Sequence, residues 1–286
     1  MIHPKHQASA RTGLWAQCSH HIMMVRPVRF GYNAQTAESN AFQHRPEVGS
    51  ADSIQRQAQA EFDEMVRILQ QAGVQVTVFE DTPEPHTPDS IFPNNWISTH
   101  SNGKVIVYPI MAPNRQAEKR DDIIQFAQSP YPHPEVIDLS YFQSADKYLE
   151  GTGSMIMDRA HQLVYACISP RTTPEVFDIF CQHVECEGIL FPAADAQGQE
   201  IYHTNVMMAL ADRVAVICLE AIQDIPTRKR ITDRLEGTGH EIVEITFAQM
   251  NAFAGNMLQV RNEKGDSFIV MSQRARQSLR TDQVQA

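Results

Sequence analysis

The apolar residues of this chain fall into short runs that recur at a nearly constant distance. Four of them are entered through small or polar residues: Pro93-Asn94-Asn95-Trp96-Ile97, Gly151-Thr152-Gly153-Ser154-Met155, His203-Thr204-Asn205-Val206-Met207 and Ala254-Gly255-Asn256-Met257-Leu258. Asn95, Gly153, Asn205 and Asn256 hold the same place in each, at spacings of 58, 52 and 51 residues. Repeats of this length signal a ring or array of equivalent units. A polar turn follows each run, with glycine at Gly103 in the first and Gly265 in the last, as hairpins favour. Second apolar runs then return: VIVYPI at 105–110, LVYACI at 163–168, VAVICL at 214–219 and FIVMS at 268–272. The first three are almost continuously apolar, which suits strands covered on both faces.

Helical spacing follows the hairpins. Residues 114–127 carry Ile123, Ile124 and Phe126, residues 173–184 open with Pro174 near the start, and residues 227–236 place Ile231 and Leu235 four apart. Third strands are predicted at 135–139, 188–191 and 240–245. The N-terminal part supplies a strand at 22–26, a long loop, a helix at 54–71 with Phe62, Met65, Val66 and Leu69 on one face, and a strand at 74–79. That unit lacks one hairpin partner, and the fourth repeat lacks its third strand. The prediction is an α/β ring of ββαβ repeats, the last unit incomplete. It forms one domain over residues 21–286 behind a loose, His-bearing leader of residues 1–20. Open strands and an uncovered core face lead us to expect self-association as a homo-oligomer.

Composition narrows the function. At 42% hydrophobic and 20% charged residues, the chain has the make-up of a soluble globular protein. A net charge of −10 argues against nucleic acid or an anionic membrane as partner. There is no apolar run long enough for a membrane span, and the N-terminus lacks the apolar core of a signal peptide. Five cysteines without framework spacing point to reduced thiols and a cytoplasmic location. Cys181, His183 and Cys186 resemble a metal cluster only in spacing. Positions 181 and 183 do not share a helix face, so the end of a half-buried helix is the better reading, with no metal and no cofactor.

Three pairs of polar residues recur at equivalent repeat positions. Glu150 and His203 each precede a strand in adjacent repeats, and a carboxylate beside an imidazole makes an acid/base pair. Asn95 and Asn205 offer amides with both donor and acceptor, suited to a neutral planar group. Arg115 and Arg171 both follow second strands, placed to hold a carboxylate bidentately. Folding the third hairpin about Ala211-Asp212 brings residues near 219–221 opposite His203, so Cys218 is the candidate nucleophile. It also sits in an apolar run, where cysteine is usually a small buried hydrophobe.

At these residues the chain resembles the pentein superfamily, which modifies guanidino groups and includes arginine deiminase, dimethylarginine dimethylaminohydrolase and amidinotransferases. Leu149-Glu150-Gly151-Thr152-Gly153 is similar to its acidic glycine-rich motif, and His203-Thr204-Asn205 to its His-x-Asp motif. Pro88-Asp89-Ser90-Ile91-Phe92-Pro93-Asn94-Asn95 is similar to the segment that supplies guanidinium-binding carboxylates. Ser169-Pro170-Arg171-Thr172 and Asn114-Arg115-Gln116-Ala117-Glu118 are similar to segments whose arginines bind the substrate's amino-acid end. HIMMVRPVRFGYN, DSIFPNNWIST, LEGTGSMIMDR, YHTNVMM and VICLEAI resemble most closely the citrulline-utilisation hydrolase branch. The resemblance implies a five-bladed α/β propeller and thiol-based, metal-free hydrolysis of citrulline or a related amino acid to ornithine, carbon dioxide and ammonia. Asn95 and Asn205 stand where guanidine enzymes carry carboxylates, which favours a neutral ureido group over a guanidinium. The resemblance also places the nucleophilic cysteine on a strand beyond the helix near Arg274. The chain therefore reads as truncated at its C-terminus and inactive as it stands. The alternatives are a guanidino hydrolase, deiminase or amidinotransferase, and a non-catalytic protein that binds the ureido amino acid.

Overall fold

The computed structural model describes residues 16–37, 40, 42–43 and 51–286. Most of the leader, residues 1–15, lies outside the described residues, as does part of the long loop expected before the first helix. Among the described residues, five small sheets follow one another along the chain. In the first, β1 (His21–Arg26) pairs in parallel with β2 (Gln75–Glu80) across helix α1 (Ala51–Gln71). The next three are complete units. β3 (Ile97–Thr99) and β4 (Lys104–Val107) form an antiparallel hairpin, and β4 pairs in parallel with β5 (Glu135–Asp138) across α2 (Asp121–Gln128). β6 (Met155–Asp158), β7 (Leu163–Ile168), α3 (Pro174–Val184) and β8 (Glu187–Pro192) repeat that order. So do β9 (Met208–Leu210), β10 (Val214–Ile217), α4 (Ile225–Gly237) and β11 (Glu241–Glu244). The fifth sheet is the hairpin of β12 (Leu258–Arg261) and β13 (Ser267–Val270), followed by α5 (Gln273–Ser278).

The continuous apolar runs have a direct structural cause. Successive side chains of a strand point to opposite faces. On β7, Leu163, Tyr165 and Cys167 enter one core, while Val164 and Ala166 enter another. The first core is shared with β9, β10 and α4 through Met208, Ala215, Ile217, Ile231 and Leu235. The second is shared with β4 and β5 through Ile106 and Ile137. Val25 on β1 packs with Trp96, Ile97 and Val105 of the next unit. Val260 on β12 packs with Leu69 of α1 and Val74, with Phe268 and Val270 of β13 against them. Neighbouring sheets thus share cores, and the last sheet packs against the first, although Leu258 on β12 and Ile269 on β13 remain exposed. Gln17 adds to this assembly, since its amide bonds Met157 O and Arg159 N, and Ser19 O accepts from Arg261 N at 3.0 Å.

Two local differences from the sequence reading matter for the site. The polar residues expected at strand starts lie in one-turn helices immediately before the strands, at Pro93–Asn95, Gly151–Ser154 and Thr204–Val206. The helix expected over 114–127 is split into Pro113–Gln116 and α2. That break turns Arg115 inward and leaves it buried.

Candidate active site

The one-turn helices converge at one end of the inner strands. Glu150 is the cap residue before Gly151–Ser154, and its backbone N–H donates to Ser154 Oγ at 3.0 Å, while Ser154 Oγ donates to Arg171 O at 2.8 Å. These bonds clamp the Glu150 segment between two repeats. Its carboxylate accepts from His203 Nε2 at 2.8 Å, from Met111 N at 3.0 Å and from Arg171 Nη1 at 3.4 Å. Arg115 Nη1 stands 3.9 Å away. Burial alone would raise the Glu150 pKa, but the His203 bond and the Arg171 and Arg115 charges outweigh it and hold it at about 2. Burial lowers His203 to about 4, only partly offset by Glu150 and reinforced by Arg171 and Arg115. The pair at neutral pH is therefore a carboxylate and a neutral imidazole. A carboxylate only accepts, so His203 Nε2 carries the proton and Nδ1 keeps its lone pair.

Two glycines make this approach possible. Gly151 has φ +45°, and a Cβ there would lie 2.2 Å from Asn94 O. At Gly153 a Cβ would lie 2.5 Å from Asn95 Nδ2 and 2.8 Å from His203 Cε1 and Nδ1. Asn95 and His203 thus meet over the bare face of Gly153.

Arg115 does not stand free to receive a ligand carboxylate. Its Nε and Nη2 grip Glu118 at 2.8 and 3.0 Å, Nη1 donates to Asn95 Oδ1 at 2.8 Å, and Nη2 reaches Phe92 O at 3.3 Å. Asp89, which accepts from Asn33 Nδ2 at 2.7 Å, is 3.8 Å from Arg115 Nε. Arg171 differs. It touches Glu150, donates to Thr36 O at 3.3 Å, and stacks with its Cζ 4.7 Å from the centre of the Tyr202 ring. Tyr202 also flanks His203, with ring centres 4.7 Å apart.

Asn205 is half-buried, and among the described residues its amide makes no hydrogen bond; its backbone carbonyl accepts from Asn256 Nδ2 at 3.2 Å. Cys218 pairs with Met207, its N–H donating to Met207 O at 2.9 Å. The one-turn helix at Thr204–Val206 stands between Met207 and His203. The Cys218 side chain lies in the apolar core with Ile217, Ala221 and Ile222, and burial pushes its thiol up to about 11. Among the described residues no cysteine bonds His203. Nor does any group of three His, Cys, Asp or Glu side chains stand ready to hold a metal. No described helix is long and apolar enough to cross a membrane. Sequence reasoning missed Glu118 and Tyr202. Glu118 was visible as an acid three residues after Arg115, one helical turn on; Tyr202 carried no signal beyond its place next to His203.

Residues 26–286 match the family described as N,N dimethylarginine dimethylhydrolase, eukaryotic. The chain belongs to this family. A search of curated proteins returned no match. Among solved structures the chain is similar to apo ArgZ, an arginine dihydrolase from the ornithine-ammonia cycle in cyanobacteria, at 17% identity and a TM-score of 0.69. That likeness covers 93% of this chain but only 36% of the ArgZ chain, so this dimethylarginine dimethylhydrolase family member spans about a third of its length. It is also similar to a cysteine-to-serine mutant of DDAH from Pseudomonas aeruginosa complexed with citrulline, at 18% identity and a TM-score of 0.61, covering 91% and 88% of the two chains. The N-terminal domain of ArgZ bound to substrate gives 17% identity and a TM-score of 0.64, over 90% and 86%. These likenesses, together with the five sheets, identify the fold as the pentein α/β propeller.

Proposed function

We propose that this member of the dimethylarginine dimethylhydrolase family acts on a ureido amino acid of the citrulline type, hydrolysing its C–N bonds. One water and citrulline give ornithine, carbon dioxide and ammonia. The observation that carries this reading is the buried His203–Glu150 bond of 2.8 Å, set beside the Asn95 amide rather than beside a carboxylate. Glu150 holds the His203 tautomer, and His203 Nδ1 serves as the base and later the acid at the ureido group. Asn95 and Asn205 grip the planar head group, and Arg171, backed by Tyr202, takes the amino-acid end. The structure of the Pseudomonas aeruginosa relative in complex with citrulline supports a ligand of this class. Arg115 is assigned to the protein's own acceptors rather than to the ligand. Cys218 is assigned to the core, because a thiol with a pKa of about 11 is almost wholly protonated at neutral pH.

A second reading is favoured by the cysteines. Burial is the leading cause that raises all five thiols, Cys18, Cys167, Cys181, Cys186 and Cys218. Among the described residues no reactive thiol stands beside His203, which suits a protein that binds the ureido amino acid without cleaving it. Incubation with L-citrulline, followed by measurement of ornithine and ammonia, separates the two. Turnover abolished by His203→Ala supports the hydrolase. Saturable citrulline binding without turnover, lost in Arg171→Ala, supports the binder. Preference for arginine or agmatine over citrulline defeats the ureido reading in both forms.

A further inference from the structure

Arg115 decides which end of the Asn95 amide faces His203. A guanidinium has only donors, so the Asn95 atom 2.8 Å from Arg115 Nη1 must be its carbonyl oxygen. The Asn95 nitrogen then points the other way, 3.5 Å from Glu150 O and next to His203 across the bare face of Gly153. The guanidinium is in turn fixed by Glu118. Both Glu118 oxygens accept from it, at 2.8 and 3.0 Å, and the two side chains are 3% and 1% exposed. Such a bidentate fork sets the plane of the guanidinium as well as its position.

We propose that Glu118 is a positioning residue that, acting through Arg115, holds the Asn95 amide with its N–H₂ toward Gly153 and His203. The consequence for ligand choice rests on the function proposed above. On that side the site presents a donor from Asn95 and a lone pair at His203 Nδ1. A ureido group, with its carbonyl oxygen beside N–H groups, satisfies both. A guanidinium has only donors and meets the Asn95 N–H₂ donor against donor. Glu118 thereby selects for a carbonyl-bearing head group from two residues away. The charged groups around it are Arg115, Asp89 and Glu150, and burial, opposed by Arg115, leaves Glu118 raised to about 7.

The test reads the Asn95 side-chain amide directly by NMR on the full ¹⁵N-labelled chain, with the signal assigned by its loss in Asn95→Asp. Glu118→Gln is expected to shift the Asn95 amide protons and speed their exchange, Glu118→Asp to restore part of the native position, and the exposed Glu175→Gln to change neither. In the unsubstituted protein the same signal is expected to titrate with Glu118 near pH 7. The Glu118→Asp variant carries the test if Glu118→Gln does not fold. An Asn95 signal unmoved in Glu118→Gln, or in Glu118→Asp where Glu118→Gln does not fold, overturns the proposal. Calorimetry with L-citrulline and L-arginine forms the second arm. Asn95→Asp replaces the donor with an acceptor and is expected to move the ratio of the two Kd values at least about tenfold toward arginine. A responsive amide in a protein that binds neither ligand supports the Glu118 role and defeats the proposed function. Citrulline preference with an unresponsive amide does the reverse.

Discussion

Replacing Glu150 with glutamine keeps the shape of the side chain and removes its charge. The carboxylate receives His203 Nε2, Met111 N and Arg171 Nη1, and it is 1% exposed. A glutamine has one oxygen for these donors, and its N–H₂ faces at least one of them. Two buried guanidiniums also lose a counter-charge, although Arg115 keeps Glu118. Removing one partner from a buried ion pair costs about 3–5 kcal/mol. With an unfolding entropy of about 2.1 cal/mol/K per residue, a chain of 286 residues has about 0.6 kcal/mol/K, so a loss of about 4 kcal/mol lowers Tm by about 7 °C. Differential scanning calorimetry at pH 7.5 measures the shift, with Lys229→Ala on the exposed face of α4 as the control. A double-mutant cycle with His203→Asn then separates the His203 bond from the arginine terms. A Glu150→Gln melt within about 2 °C of the unsubstituted protein would falsify the idea that this carboxylate is the charge centre of the site.

Two further outcomes follow from the same electrostatics. His203 has its folded pKa lowered to about 4 from the usual 6.5 of histidine, so its stabilising contribution is fully present above pH 6.5 and is lost as pH falls toward 4. Glu118, raised to about 7, works in the opposite direction, contributing below pH 4.5 and losing that contribution as pH rises through 7. The difference in urea-unfolding free energy between the unsubstituted protein and His203→Asn should therefore shrink by about 2 to 3 kcal/mol between pH 7.5 and pH 4.5. Parallel stability curves would show that His203 is not held neutral. Cys218→Ala should leave citrulline turnover or binding unchanged and cost about 1 kcal/mol of stability, as loss of a small buried hydrophobe does. A turnover lost with the fold intact would return Cys218 to the chemistry.

The strand pattern exposed the fold because each unit buries both faces of its middle strand. Alternate residues of β7 feed two different cores, and that geometry demands the unbroken apolar run at 163–168. The same feature hid the role of Cys218. A continuous run gives no face to distinguish, so a thiol at its end reads equally well as core or as nucleophile. Hairpin register gives its place: Ile217 pairs with Met208, which puts Cys218 opposite Met207 and inside the apolar core. The polar entries were legible as positions but not as conformations. Gly151 at φ +45° and the close approach over Gly153 require one-turn helices, where strand starts were expected.

The two arginines show how far repeat equivalence can carry a site. Arg115 and Arg171 hold corresponding places, after the second strand and before the helix, and equivalence alone assigns them one role. What separates them is the residue three positions on. After Arg115 it is Glu118, one helical turn away, and the guanidinium closes on it. After Arg171 it is Pro174, which offers no side-chain acceptor and begins α3. Without a local acid, Arg171 reaches across the repeat to Glu150 and lies on Tyr202. One arginine is thereby absorbed into holding Asn95, and the other is held at the His203–Glu150 pair. The division of labour was present in the chain as an acid in one repeat and a proline in the next.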